Sequence, residues 1–256
     1  MADWNPALYL QFEAERNKPI RDLLAHVDCH APGRVIDIGC GPGNSTRFLA
    51  ARWPAAELVG LDRSKAMLEA ARKALPGARW LEGDAAGELS ELGAFDVVFS
   101  NSVLQWLGDH DRVISRWFGL LKPGGALAVQ LPHNTASPLH LALMALVQSD
   151  AWHGKFSEFR QVSHLSPGYY YEVLSALPCV FELWTTIHHH VLGSHADMIE
   201  WYRSTGFKPY LDQLGAAEQR LFLDEMRTEI RRLYPPQADG KILFDFERLF
   251  FVAVKR

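Results

Sequence analysis

The stretch RVIDIGCGPGNSTRFLA, residues 34–50, limits the fold more than any other part of the chain. Val35, Ile36 and Ile38 form a short apolar run, glycines at 39, 41 and 43 interrupt it, and an amphipathic segment begins at Asn44. A buried strand that breaks into glycines and resumes as a helix is the first half of a βαβ unit. Its turn offers a helix N-terminus, where nucleotides of many kinds can sit. The helix is expected over 44–53, with Asn44 or Ser45 near its cap. The same rhythm continues. ELVGLD reads as a second strand, followed by a helix over about 64–75 with Ser64 as its cap. ARWLEGD is a third strand and FDVVFSN, residues 95–101, a fourth. A helix over roughly 109–121 is expected to stop at KPGG, a Pro-Gly breaker, before ALAVQLP forms a fifth strand. Such alternation implies a parallel sheet with helices on both faces, because crossovers between parallel strands need helices.

After Pro132 the pattern changes. SPLHLALMALVQSDAW is helical in pattern, GKFSEFRQVSHLSPGYYYEVLSAL is aromatic and irregular, and VFELWTTIHHHVL reads as a sixth strand. Helical segments follow near 195–205 and 216–233, and RLFFVAVKR closes the chain as a seventh strand. The expected organisation is one domain over 1–256: an N-terminal cap segment at 1–30, a nucleotide-binding core at 31–132, and lid or substrate insertions at 133–178 and 192–241. In an open α/β sheet such insertions can reach the crevice beyond the strands' carboxyl ends, where ligands bind. The 256 residues suffice for a real core, and a formal charge of −4 gives no overall attraction to nucleic acid. No signal peptide or membrane span is expected. Cys29, Cys40 and Cys179 are scattered, which suits a reducing cytoplasm and neither a disulfide framework nor a zinc site. No protein partner is evident.

Which nucleotide the turn holds depends on its neighbours. No Gly-Lys-Ser/Thr follows it, and G-x-G-x-G is not the dinucleotide spacing. Asp37, two residues ahead of the first glycine, would repel a pyrophosphate and favour a cation such as an ammonium. Its bland alternative is a solvated or capping acid. Asp62 ends the second strand, where a carboxylate can accept from both ribose hydroxyls and reject a 2′-phosphate. Asp84 is expected at the end of the third strand, placed to accept from an adenine amine, although acids at strand ends are common caps. A nucleoside with a cationic, amine-bearing tail and no phosphate is S-adenosylmethionine.

VIDIGCGPGNS, GLDRS, EGDA, FDVVFSNSVLQW and LLKPGGALAVQLP, in that order over about 34–132, resemble the successive motifs of the class I S-adenosylmethionine-dependent methyltransferases. The resemblance implies a Rossmann-like α/β fold, a seven-stranded sheet with its last strand antiparallel. It sets the cofactor against Asp37, Gly39, Cys40, Gly41, Asn44, Asp62, Arg63, Asp84, Ala85, Ser100 and Asn101, with Cys40 a permissive middle position and not a nucleophile. Over nearly the whole chain, DWNPALYLQFEAERNKP, NSVLQWLGDH, GYYYEVLS, TGFKPYLDQL and GKILFDFERLFFVA are similar to the trans-aconitate 2-methyltransferases. That likeness implies methylation of one carboxylate of a tricarboxylate, with S-adenosylhomocysteine as the second product.

A carboxylate is already ionised at neutral pH, so no general base, and hence no catalytic residue in that sense, is expected. The acid instead needs cationic and hydrogen-bond clamps, preferably bidentate arginine. The substrate-binding candidates are Arg16, on or near the helix face of Tyr9 and Phe12; Gln105 and Trp106 beyond the fourth strand; Tyr170 and Tyr171 as lid residues; and Arg203 and Arg248 as late clamps. Arg16 and Trp106 lean on the resemblance. Tyr9 fits equally as a core aromatic, and Arg203 and Arg248 as surface charges. In IHHH at 187–190, His188 and His190 share one face, to bind an anion or simply face water, and His189 points away. No Cys or acid stands at ligand spacing, so no metal is expected. Two other readings stay open: a methyltransferase for another O-, N- or C-acceptor, and a nonenzymatic S-adenosylmethionine-binding module.

Overall fold

The computed structural model describes residues 13–156, 165–203 and 205–256. The apolar runs of the first half become β1 (Arg34–Ile38), β2 (Glu57–Asp62), β3 (Arg79–Glu82) and β4 (Phe95–Asn101), paired in parallel. With β5 (Leu121–Pro132), β6 (Cys179–Leu192) and β7 (Ile242–Lys255) they form a seven-stranded sheet ordered β3-β2-β1-β4-β5-β7-β6. β7 runs antiparallel to β5, as expected for a class I methyltransferase sheet. The helices among the described residues are α1 (Glu13–Ala25), α2 (Asn44–Arg52), α3 (Lys65–Ala74), α4 (His110–Gly119), α5 (Pro138–Val147), α6 (Pro167–Ser175), α7 (His195–Arg203), α8 (Lys208–Leu211) and α9 (Ala216–Leu233). Ser64 caps α3 as its sequence suggested, its Oγ accepting from Met67 N–H at 3.2 Å.

Two strands start earlier than their sequences suggested. β5 begins at Leu121 and not Ala126, because KPGG lies inside the strand. Phe95 pairs with Leu121 and Val97 with Ala126, so the glycines absorb a register shift rather than end the strand. Gly125 backs onto the carbonyls of Phe95 and Asp96, where a Cβ would lie within 3.2 Å of both. β7 begins at Ile242, six residues before Arg248. Its first half alternates buried Ile242, Phe244 and Phe246 with exposed Leu243 and Asp245, a strand with one wet face. Only the second half, from Leu249, is the continuous apolar run of a strand covered on both faces.

Alternation sorts the sheet into two faces. On one, Val35, Val97, Phe99, Ala126, Ala128 and Phe250 pack with Ile20, Leu23 and Leu24 of α1 and Leu49 of α2. On the other, Ile36, Ile38, Val98, Leu127 and Val129 pack with Val113, Ile114 and Trp117 of α4 and with Tyr170 and Leu174 of α6. The first face positions α1. Arg52 donates to Val27 O and Trp53 Nε1 to Cys29 O, both at 2.8 Å, which ties the chain after α1 to the end of α2. α2 ends at the strands' amino edge, so the end of α1 lies there too.

The described residues divide into two compact units: 13–132, 165–186 and 248–256 in one, and 133–156, 187–203 and 205–247 in the other. Segment 165–178, part of an expected insertion, therefore belongs with the sheet unit. The second unit has an aromatic core of its own. Trp152 meets Phe222 edge-on at 5.2 Å, and Phe207 and Phe244 are fully buried. His188 and His190 do share a face, but both are buried and do not face water; His190 packs at 4.9 Å from Trp201. His189 points away to Asp245. Among the described residues, no group of three or more His, Cys, Asp or Glu could hold a metal ion, and no helix is long and apolar enough to cross a membrane.

Candidate active site

Strand order reverses between β1 and β4, and the carboxyl ends of strands at such a switch point form the crevice of an open α/β sheet. The glycine turn sits there. Gly39 and Gly41 have φ of +73° and +53°, a region L side chains rarely adopt. A Cβ on Gly39 would also lie 2.2 Å from Val103 Cγ2, whereas on Gly41 nothing stands within 4 Å, so that side of the turn is open. The cap of α2 is Gly43, left-handed at φ +87°, and not Asn44 or Ser45, which form the first helical turn.

The turn spends its amides internally. Gly39 and Cys40 N–H donate to Leu61 O at 2.7 and 3.0 Å, Gly43 N–H to Cys40 O at 3.0 Å, and Gly41 N–H to Asp62 Oδ2 at 2.9 Å. Those amides are not available to cradle a phosphate. What the turn does present is a carboxylate. Asp37 is fully buried, and Ser45 and Thr46 hydroxyls donate to its Oδ2 at 2.7 and 2.6 Å. Its Oδ1 has no hydrogen-bond partner among the described residues, and neither has either amide atom of the buried Asn44. Burial pushes the Asp37 carboxyl up to about 6; the two hydroxyls pull it down and the nearby Asp62 charge adds to the rise. A buried carboxylate with an unused oxygen at an open turn fits the ammonium end of S-adenosylmethionine.

Asp62 is pinned at the end of β2, because its Oδ1 also accepts from Ser64 N–H at 2.9 Å. Each oxygen keeps a second lone pair for a ribose hydroxyl. Asp84 does not end the third strand. β3 stops at Glu82, and Asp84 is an exposed loop residue with Oδ1 accepting from Ala86 N–H at 3.0 Å. Arg63 is exposed, and Ala85 O accepts from Trp117 Nε1 at 2.8 Å. Cys40 is buried beneath the turn, and burial pushes its thiol well above the ordinary range, the wrong direction for a nucleophile. Ser100 is buried too, its Oγ donating to Ile38 O at 3.0 Å and so tying β4 to β1. Asn101, at the mouth of β4, has its Oδ1 buried with no hydrogen-bond partner among the described residues.

Two of the acid-clamp candidates, Arg16 and Arg248, lie on the sheet face that packs α1. Gln105 is buried in the short 3-10 turn Leu104–Trp106, its Nε2 donating to Ser102 O at 2.8 Å; Trp106 is half-buried beside it. Arg248 is 3% exposed and lies two residues from Phe250, on the same face of β7. Arg16 is 8% exposed, one turn before Ile20 on the packed side of α1. The candidates Arg16 and Arg248 thus belong to one face, and neither is a surface charge. Arg203 is different: it is half-exposed in the second unit and pairs with Glu200 at 3.0 Å. Tyr170 is no lid residue, being fully buried in the core with its hydroxyl 2.8 Å from His110 Nδ1. Tyr171 is exposed and meets the Phe181 ring at 5.8 Å. Tyr9 and Phe12 lie outside the described residues.

Two polar residues of this face escaped sequence reasoning. Gln130 is 0% exposed near the carboxyl end of an otherwise apolar run, and Ser102 holds φ +60°. A lone glutamine in ALAVQLP is a visible signal; Ser102 carries none.

The chain is similar to known methyltransferases. The methyltransferase domain family matches residues 35–125. A trans-aconitate 2-methyltransferase of Methylobacterium radiotolerans is 45% identical over the whole chain and 99% of its own length. Enzymes of the same name from Rhodopseudomonas palustris and Escherichia coli O157:H7 are 43% and 42% identical, covering 100% and 99% of the chain and 100% and 98% of their own lengths. Among solved structures, the YcgJ protein of a Bacillus shares the fold with a TM-score of 0.60 at 16% identity, over 95% of this chain and 98% of that one. The plantazolicin methyltransferase BpumL in complex with SAH gives 0.52 at 14% identity, over 98% and 86%. With identity at this level along its full length, the chain belongs to the trans-aconitate 2-methyltransferase family.

Proposed function

We propose that the protein transfers the methyl group of S-adenosylmethionine to a carboxylate of trans-aconitate, giving the monomethyl ester and S-adenosylhomocysteine. The observation that carries the cofactor assignment is Asp37, a buried carboxylate with one unused oxygen, behind a turn whose amides are spent. The full-length relatives support the acceptor. When bound, the cofactor supplies an electrophilic methyl group on a sulfonium. The chain's residues supply position. Asp37 and Asn101 offer acceptor oxygens to the cofactor's ammonium, Asp62 offers both oxygens to the ribose, and Arg16 and Arg248 offer guanidinium forks to the acid. Holding two reactants in line is where most of the acceleration of such a displacement can come from. No side chain needs to take a proton, because the nucleophilic carboxylate is ionised at neutral pH. We read the chain as one methyltransferase domain with helical insertions. Its three free thiols support a cytoplasmic setting.

Transfer of labelled methyl groups over a panel of organic acids, phenols and amines tests the reading. A base-labile ester on trans-aconitate is expected. Label found only on a phenol or amine would overturn the acceptor, and cofactor binding with no transfer to any of them would favour a binding module.

A further inference from the structure

Four strands of the sheet carry a polar residue on the α1-packed face near their carboxyl or facing ends. In lateral order these are Asp37 on β1, Asn101 on β4, Gln130 on β5 and Arg248 on β7. Asn101 and Gln130 are register partners, and Pro132 pairs with Arg248. The groups change character along this row. Asp37 Oδ1 and Asn101 Oδ1 are acceptors; Gln130 Nε2 is a donor, buried with no hydrogen-bond partner among the described residues; Arg248 is a cation. The row therefore suits a positive ligand over β1 and β4 and a negative one over β5 and β7.

Ser102 contacts Gln130 through both its side chain and its backbone. Ser102 Oγ donates to Gln130 Oε1 at 2.9 Å, and Ser102 N–H donates to Gln130 O at 2.9 Å. Ser102 reaches both atoms from the left-handed conformation, and Gln105 Nε2 secures its carbonyl. A backbone carbonyl can only accept, so Gln105 is fixed with its own Oε1 turned away as an acceptor. A carboxylate thus finds the whole unpaired N–H2 of Gln130, against a single remaining N–H of Gln105. Leaving an amide N–H2 buried and unpaired in a central strand is costly, and such groups occur where a ligand completes them.

We propose that Gln130 is the specificity-determining residue for the acceptor, its Nε2 donating to the carboxylate that lies next to the cofactor, with Ser102 as its positioning residue. This rests on the carboxyl-methylation reading above. The reacting carboxylate keeps part of its charge in the transition state, so a hydrogen bond to it stabilises the bound acid and the transition state by similar amounts. Gln130 therefore sets KM and leaves kcat nearly alone.

The test compares Gln130→Met, Gln130→Glu and Ser102→Gly with the wild type, using trans-aconitate kinetics and calorimetric binding of S-adenosylhomocysteine. Gln130→Met keeps the volume and should raise the KM for trans-aconitate about 10- to 100-fold, the worth of one hydrogen bond to a charged group. Its kcat should stay within about threefold and its S-adenosylhomocysteine affinity within about twofold, which also shows that the variant is folded. Gln130→Glu sets carboxylate against carboxylate and should raise KM further. Ser102→Gly relieves the left-handed residue but removes the hydroxyl, so KM should rise severalfold with no loss of thermal stability. An unchanged KM in folded Gln130→Met, or a loss of S-adenosylhomocysteine affinity equal to the rise in KM, overturns the assignment. If the wild type methylates trans-aconitate and Gln130→Met matches it, this inference alone fails. If the wild type methylates no carboxylate, the functional reading fails with it.

Discussion

Asp37→Asn should move stability and cofactor affinity in opposite directions. Burial raises the Asp37 carboxyl from 3.8 to about 6 in the ligand-free fold. A rise of about 2 units corresponds to about 3 kcal/mol that the ionised form costs at neutral pH. Because the folded value is the higher one, the stabilising contribution is complete below pH 3.8 and is lost as pH rises through about 6. An asparagine oxygen can accept the same two hydroxyls from Ser45 and Thr46. Its N–H2 then replaces the unpartnered oxygen, at a cost of about 1–2 kcal/mol. The variant should thus be more stable than wild type by about 1–2 kcal/mol at pH 8, and slightly less stable at pH 4, where Asp37 is itself neutral. Affinity should go the other way, since a cation loses a charge-assisted partner worth about 10- to 100-fold in Kd. In the wild type, only about one Asp37 in ten is ionised at pH 5, so Kd for S-adenosylhomocysteine should weaken about tenfold between pH 7.5 and 5. In Asp37→Asn it should be flat. Urea unfolding of the ligand-free protein at pH 4, 6 and 8, with calorimetric titrations over the same range, measures both. A variant less stable than wild type at every pH, or a wild-type Kd that does not change between pH 7.5 and 5, would refute this account of the turn.

Conservative replacement separates the arginines. Arg16→Lys and Arg248→Lys keep the charge but lose the planar fork, and each should raise the KM for trans-aconitate about tenfold while the S-adenosylhomocysteine affinity holds. Arg203→Ala should change neither, because an exposed i,i+3 pair contributes little; equal effects at all three positions in steady-state assays would deny the buried pair a special role. Tyr170→Phe removes a hydroxyl bonded to His110 inside the core. It should cost about 1–2 kcal/mol in urea unfolding with both KM values unaltered, and a selective rise in the acid's KM would restore Tyr170 to the substrate site.

The parts of the fold that were legible are those where one strand carries its own signal. β1, β2 and β4 are apolar on both faces, and Asp37 and Asp62 stand at fixed spacing from glycines and strand ends, so a single stretch suffices. β7 was half hidden because Asp245 and Glu247 break its apolar run, although Phe244 and Phe246 keep the alternation of a strand with one wet face. GYYY at 168–171 names an aromatic cluster without telling which ring faces inward; the spacing of Tyr170 and Leu174, four apart and both buried, holds that information only once the helix phase is known. Gln130 was visible as an oddity but not as a site. Its meaning comes from lying beside Asn101 in the sheet and below Ser102, relations that depend on register and on a left-handed residue no sequence pattern announces.

That register also bears on why the middle of the row is made of amides. Methyl transfer from a sulfonium to a carboxylate brings a cation and an anion together and consumes both charges. A site for it must favour opposite charges in adjacent places without pairing its own groups first. A carboxylate on β4 beside a guanidinium on β5 would close into a salt bridge, and opening it would cost several kcal/mol each time ligands bound. Asn101 and Gln130 present an acceptor and a donor as neutral dipoles. Asp37 and Arg248 stand one strand farther out on either side, on strands that are not neighbours in the sheet. The attraction each ligand feels is then graded, strongest away from the seam and weakest at it. Once the methyl group has moved, the ester no longer carries the charge that Gln130 and Arg248 favour. The same arrangement that holds the acid therefore lets the product go.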